Sequence, residues 1–357
     1  MVKYIGSKRL LAPALTNIAR QLPIASICDL FAGTTRVGQA FREAGLRVQS
    51  NDLSTYSEVL GQAYIVADDS VDRGRIREVL EHLESVRPEH GYFTETFCVD
   101  SRFFQPENGM RIDAARNEID RLDLSPVERG IVLTSLMEAA DRVDSTCGLQ
   151  MAYVKKWAAR SFNRLELREP RSVAGPAGSA TRADALDLAP SLSDVDCVYL
   201  DPPYNQHSYF SNYHIWETLI RWDAPEHYGV ACKRTDCRTT KTPFNRKREA
   251  WKAFESLIGA LDVPWLIVSF SNEGFHDVND IAELLATKGY VASTDVDFKR
   301  YVGAQIGIHN PAGEKVGKTS HVRNREHTFG VGPDDAIVRQ AVGGALVSSS
   351  EKQEVLF

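Results

Sequence analysis

The chain has 357 residues, of which 43% are hydrophobic and 25% charged, and a formal net charge of −6. That length can bury a sizeable core in one large or two modest domains, and the acidic balance argues against a protein coated in nucleic acid while leaving local basic patches open. No apolar run approaches the ~20 residues needed to cross a bilayer. Thr16, Asn17 and Arg20 break the N-terminal apolar stretch before a signal-peptide core develops, so a cytoplasmic protein with no membrane segment is expected.

In chain order, residues 7 to 22 place Leu10, Leu11, Ala14, Leu15 and Ile18 on one helical face, with Ser7 able to cap the first turn. ASICDLFAG follows as a short apolar strand ending in Asp29 and a glycine turn. RVGQAFREAG then reads as a helix stopped by Gly45, and LRVQSND as a second strand. This is a β-α-β unit, whose expected form is a right-handed parallel crossover. From about residue 56 to 170 the pattern is helical, with Ile76, Val79, Leu80 and Leu83 sharing a face. EPRSVAGPAGSAT, residues 169–181, reads as a linker back to the sheet. Strand signals return at 196–200, 265–270, 290–298 and 327–331. The expected architecture is an α/β sheet domain assembled from both ends of the chain, residues 1–64 and 172–332, with a mainly helical insertion at 65–171 and a loose tail at 333–357. Cys28 and Cys197 sit in apolar strands as buried thiols, and no disulfide is expected. Cys232 and Cys237 lack the second pair that a zinc site needs, so no metal is expected.

In an open parallel sheet, ligands bind at the carboxyl ends of the strands. The first strand ends DLFAGTTRVG, where Gly33 permits a tight turn and close backbone approach. The absence of G-x-G-x-x-G disfavours a hydride-transfer enzyme. Asp52 ends the second strand, 23 positions after Asp29, where a carboxylate can accept both hydroxyls of a ribose. Together these residues point to a nucleoside-containing ligand. The stretch VYLDPPYNQHSYF, residues 198–210, carries more information. Two prolines fix the backbone after a buried strand, so the Asp201 carboxylate and the Pro202 carbonyl present acceptors in a common direction. Such a pair can accept both hydrogens of an exocyclic amino group, while Tyr204 offers a face on which a planar base stacks.

KYIGSKRLL, DLFAGTTRVGQAF, NDLS, TRADAL and VYLDPPYNQHSYFSNYHIWETL, in that order, resemble the S-adenosylmethionine-dependent DNA adenine methylase family. VSFSNEGF (268–275) and FKRYVG (298–303) resemble its later sheet motifs. The resemblance implies a Rossmann-like methyltransferase sheet, mostly parallel with an antiparallel last strand, and a helical target-recognition insertion. It also implies that S-adenosylmethionine is bound by Tyr4, Gly6 and Lys8 at its methionine end, by Asp29, Phe31 and Gly33, by Asp52 at its ribose and by Asp184 at its adenine. Asp201, Pro202 and Tyr204 would be catalytic, with Pro203 stiffening the turn. The implied reaction is transfer of a methyl group to adenine N6 in duplex DNA after base flipping, in a restriction-modification setting that can include a cognate endonuclease.

DNA contact also needs positive charge. Residues 233–252 carry eight Lys or Arg against two acidic residues, a local net of +6. Lys233, Arg234, Arg238, Lys241, Arg246, Lys247 and Arg248 are the candidate phosphate contacts, although a solvated surface reads the same way. Lys155, Lys156, Trp157, Arg160 and Arg164 form a second basic group, and residues 315–327, with Arg323 and Arg325, a third. Tyr209, Tyr213 and Trp216 stand open between supporting DNA and packing the following helix. The competing readings are an N4-cytosine methyltransferase, which Asp rather than Ser at 201 disfavours, and a catalytically inactive DNA-binding partner, which the intact Asp29, Asp52 and DPPY set disfavours.

Overall fold

The structure, a computed structural model, describes residues 2–4, 8–272, 274–299, 308–309, 315–317 and 323–351. Seven strands carry the fold: β1 (Ser26–Asp29), β2 (Arg47–Asp52), β3 (Ser179–Arg182), β4 (Cys197–Leu200), β5 (Trp265–Ser271), β6 (Tyr290–Lys299) and β7 (Arg323–Gly332). The chain divides into two compact units. One is drawn from residues 2–4, 25–187 and 207–242, the other from residues 8–24 and 188–206 and the described residues between 243 and 351.

In the first unit β1 pairs with β2 and β2 with β3, all parallel, with Asp29 opposite Ser50 and Asp52 opposite Arg182. The helix Arg36–Glu43 links β1 to β2, as the β-α-β pattern requires. All four residues of β1 are buried, consistent with a parallel strand covered on both faces. Helices then dominate: Thr55–Gly61, Arg73–Ser85, Pro106–Ile119 and Pro126–Val143. The last begins with a capping box, in which Ser125 and Glu128 satisfy each other's backbone N–H, and with a proline at its first turn. It is buried over most of its surface, and Leu133, Leu136, Met137 and Ala140 join Phe93, Phe97, Phe103 and Ile112 in one apolar cluster. Tyr213 and Trp216, each 1% exposed, belong to the same cluster. Packing is therefore what Trp216 does, and the register of helix His214–Arg221 follows from it. The Arg116 guanidinium donates to the carbonyls of Leu219 and Ile220 at 2.9 and 3.0 Å, closing that helix from below its last turn.

In the second unit β4 is parallel to β5, while β7 runs antiparallel to both β5 and β6. The last strand is thus the antiparallel one, as expected. Helix Ala250–Ala260 lays Phe254 against Phe270 of β5, ring centroids 5.1 Å apart. The expected loose tail differs from what is found: Asp335–Glu351 is helical and packs on the helix Ala12–Gln21, with Val338, Ala341, Val342 and Ala345 buried. Small residues around Gly343 and Gly344 weaken the apolar periodicity, so the tertiary partner is what reveals this helix. All six cysteines are unpaired, Cys28 and Cys197 among the buried ones. Among the described residues no helix is long and apolar enough to cross a membrane.

Candidate active site

The strand ends of the first unit bring most of the expected cofactor residues together. Gly33 turns the chain after β1 with φ +51°, and its N–H donates to Asp52 Oδ2 at 2.9 Å. A side chain there would be strained by that φ and would meet the Tyr4 ring at 3.3 Å. Asp52 Oδ1 accepts from the Ser54 N–H at 2.9 Å. Burial raises the Asp52 carboxyl above its usual range, against the pull of the Ser54 and Gly33 N–H groups. Asp29 is 1% exposed, and its Oδ2 accepts the Gly38 N–H at 3.1 Å, which ties β1 to the helix after the glycine turn. Phe31 is half-buried on that turn. Asp184 lies two residues after β3, where its Oδ1 accepts from the Leu186 N–H at 2.9 Å. Tyr4 stacks on Tyr213 at 4.4 Å and on Tyr209 at 5.4 Å, and its hydroxyl lies 3.4 Å from that of Tyr56. Gly6 lies outside the described residues.

The catalytic candidates lie in the second unit. Asp201 follows directly on the fully buried strand β4, whose Leu200 pairs with Val268. Asp201 Oδ1 is 3.0 Å from Lys8 Nζ and accepts from Ser269 Oγ at 3.3 Å. The Tyr199 hydroxyl lies 2.9 Å from Ser269 Oγ. Lys8, 7% exposed, also forms an ion pair with Glu326 of β7, which is 2% exposed. Burial alone would lower the Lys8 ammonium, but Asp201 and Glu326 together hold it well above the usual lysine range. Burial raises the Asp201 carboxyl, Lys8 opposes that rise and Glu326 adds to it. Pro202 is buried, and the Tyr204 carbonyl accepts the Phe275 N–H at 2.9 Å, pinning the turn. The Tyr204 ring lies 5.5 Å from Lys8 Nζ and 6.3 Å from the Phe270 ring. Burial pushes its hydroxyl up to about 12, so it stays neutral.

The basic candidates separate. Arg234 is 1% exposed and bonded to Asp223 at 2.7 Å and Asp236 at 2.9 Å, so this member of the expected phosphate set is an interior ion-pair residue. The formal charge of the segment overstates its free charge for that reason. Lys233 is half-buried in a two-residue strand, Arg238 lies 4.0 Å over the Tyr228 ring, and Arg246 pairs with Glu249 at 2.9 Å. Lys241, Lys247 and Arg248 are exposed. In the second basic group Arg160 is held by Asp144 at 2.6 Å and Arg164 by Glu84 at 3.0 Å, whereas Arg102 covers Trp157 at 4.8 Å. The third group lies partly outside the described residues; in it Arg325 is 3.7 Å from Asp295.

Three residues of these clusters escape sequence reasoning. Asn51 donates to the carbonyls of Leu30 and Ala183 at 3.2 and 3.1 Å and accepts the Ala183 N–H at 3.1 Å, clamping the ends of β1 and β3. Its position beside Asp52 in NDLS is the available signal. Ser269 sits in VSFSNEGF, on the alternate position of a strand that faces Asp201. Glu326 has no local motif: it stands among Arg323, Asn324, Arg325, His327 and Thr328 in the polar half of its strand, and nothing in that order marks it as buried.

A mostly parallel α/β fold with a glycine turn after its first strand and an Asp-Pro-Pro-Tyr turn after β4 is consistent with an α/β methyltransferase. Residues 4–263 match the family described as D12 class N6 adenine-specific DNA methyltransferase, and the chain belongs to that family. It is 30% identical over 314 residues to the type II methyltransferase M.NlaIII of Neisseria lactamica, covering 84% of this chain and 92% of that protein. It is 31% identical over 309 residues to the type II methyltransferase M.FokI of Planomicrobium okeanokoites, covering 81% of this chain and 47% of that one. With M.CviAII of Paramecium bursaria Chlorella virus 1 the identity is 27%, over 88% and 96% of the two chains. The protein is accordingly a site-specific adenine DNA methyltransferase, and the cytosine and inactive-partner readings fall away with the family assignment.

Proposed function

We propose that the protein methylates adenine N6 in duplex DNA after the base has flipped out, as the modification half of a restriction-modification system in the cytoplasm. One observation carries the reading: both partners of Asp201 among the described residues, Lys8 and Ser269, engage Oδ1. Oδ2 is left to accept one N6 hydrogen, with the Pro202 carbonyl to accept the other. Adenine N6 is a poor nucleophile because its lone pair is delocalised into the ring, and two acceptors localise that pair as positive charge develops. The N6 lone pair would form the N–C bond to the methyl group, the donor's sulfur would keep the electron pair of the S–C bond given up, and the N6 proton would pass to solvent. Asp201 stabilises the charged transition state more than the ground state. Tyr204 stacks on the extruded base and offsets part of the unstacking cost of about a few kcal/mol.

S-adenosylmethionine, when bound, supplies the electrophilic methyl group. The first unit fits it. Gly33 brings backbone close to a ligand, Asp52 offers a carboxylate oriented by two N–H groups, and Tyr4 lies against Gly33. Asp184 reaches the adenine end, Phe31 packs on the ligand, and Asp29 braces the loop through Gly38. Gly6 belongs to the same motif as Tyr4. Lys8, expected at the methionine end, acts instead on Asp201. Lys241, Lys247 and Arg248 contact phosphates, with Lys233, Arg238 and Arg246 as weaker contributors. A cognate endonuclease is the partner that such a restriction-modification setting would supply.

The test is incubation of duplex DNA with methyl-labelled S-adenosylmethionine, digestion to nucleosides and chromatography. Label is expected in N6-methyldeoxyadenosine. Label in N4-methyldeoxycytidine, or none in any nucleoside, overturns the proposal.

A further inference from the structure

The ionisable centre of the second unit holds one more charge than the reaction needs. Lys8 presents a single ammonium to two carboxylates, Asp201 at 3.0 Å and Glu326, and all three groups are largely withdrawn from solvent. Ion pairing alone requires one carboxylate, and a second buried one is costly unless it serves a purpose. Glu326 comes from β7, opposite Ser271 of β5, so its backbone is pinned by two antiparallel neighbours. The groups facing this centre come from every element around it. They are Tyr199 on β4, Asp201 and Tyr204 on the exit turn, Ser269 and Ser271 on β5, and Glu326 on β7. His327, the next residue on β7, points to the other face by strand alternation. There it pairs with Asp295 at 2.6 Å, so it does not compete.

We propose that Glu326 is a positioning residue for methyl transfer: by taking a share of the Lys8 ammonium it holds Nζ against Oδ1 of Asp201 without letting the ion pair quench the carboxylate as an acceptor. An undivided Lys8–Asp201 pair would leave Asp201 fully ionised yet weakly accepting, because its negative charge would be spent on the ammonium. With Glu326 present, Lys8 is shared, Oδ1 is fixed by Lys8 and Ser269, and Oδ2 retains the charge that an amine hydrogen meets. Glu326 touches neither the base nor the methyl donor in this account; its effect passes through Lys8. The inference rests on Asp201 being the amine acceptor.

The consequence is a readout that mere structural support would not move. A neighbouring carboxylate makes Asp201 harder to ionise, so methyl transfer should decline on the acid side as Asp201 takes up a proton. Replacing Glu326 by Gln removes that repulsion and gives Asp201 the whole ammonium. The acid limb should then move to lower pH by about one unit, and the plateau rate should fall roughly threefold to tenfold. Single-turnover methyl transfer, measured from pH 5 to 8.5 with labelled S-adenosylmethionine and duplex DNA, gives both quantities free of product release. Cofactor affinity, measured separately, should stay within about twofold, because binding involves other residues. An acid limb that stays in place, or an upward shift, overturns the proposal, as does a loss of rate in a folded variant without displacement of the limb. Should E326Q not fold, E326D keeps the charge but withdraws it by one methylene; the limb should move the same way by a smaller amount, and an unmoved limb again refutes the idea. D201A separates the two claims. If it retains transfer, the acceptor reading itself fails; if it is inactive while E326Q keeps the wild-type profile, only the role of Glu326 fails.

Discussion

Replacing Lys8 by methionine should destabilise the protein in a pH-dependent way. Methionine fills a similar volume but leaves Asp201 and Glu326, 17% and 2% exposed, facing each other with no cation. Removing one partner of a buried ion pair costs about 3–5 kcal/mol, because the remaining charge stays desolvated. Here two carboxylates remain, and burial already raises Asp201 in the presence of Lys8. Without Lys8 its folded-state value rises further above the unfolded one near 3.9. A carboxyl with a raised folded value favours the folded state when protonated, and that advantage disappears as pH rises through the folded value. The penalty of K8M should therefore be largest near pH 8 and should shrink towards pH 5. Urea unfolding of wild type and K8M at both pH values measures the difference. Equal penalties at the two pH values, or a penalty below about 1 kcal/mol at pH 8, would refute the assignment of Lys8 as the shared cation of two buried carboxylates.

Further outcomes follow from the other clusters. Arg234→Met should cost about 3 kcal/mol of stability through Asp223 and Asp236 while leaving the salt dependence of DNA binding unchanged. Lys247→Gln with Arg248→Gln should instead spare stability and lower the slope of log K against log salt by about 1 per residue, read by fluorescence titration. His214, fully buried and donating from Nε2 to the Gln150 carbonyl at 2.9 Å, is held neutral by burial down to about 3. The unfolded chain takes up that proton near pH 6.5, so stability should fall between about pH 6.5 and 3. Denaturant midpoints of H214Q should be flatter across that range, and an equally steep loss would show that another group governs it. Gly33→Ala should weaken S-adenosylmethionine binding, measured calorimetrically, because φ +51° and the Tyr4 ring at 3.3 Å both resist a Cβ. Unaltered affinity would remove the Gly33 turn from the cofactor site.

Local chemistry was legible wherever neighbouring residues had to act together. The glycine turn, Asp52 at a strand end and the Asp-Pro-Pro-Tyr exit each combine a backbone constraint with a functional group within a few positions, so order along the chain suffices to recognise them. The β-α-β unit and the strands β4 to β7 were visible for the same reason: apolar runs bounded by turn residues are local signals. The helix Asp335–Glu351 was not, since its weak amphipathic pattern gains meaning only from the helix Ala12–Gln21 against which it packs.

Charge was the least legible property. A count over residues 233–252 treats Arg234 and Lys247 alike, yet one is an interior residue neutralised by two aspartates and the other faces solvent. Lys8 and Glu326 stand 318 positions apart, and nothing in the order of residues links them. The sequence by itself determined the family, the reaction class and the Asp-Pro-Pro-Tyr turn, because those depend on short stretches of backbone and the groups they carry. Only the tertiary structure decided that Lys8 is paired with both Asp201 and Glu326, because the energy of a buried charge depends on which other charges lie within a few ångströms of it and not on where they fall along the chain.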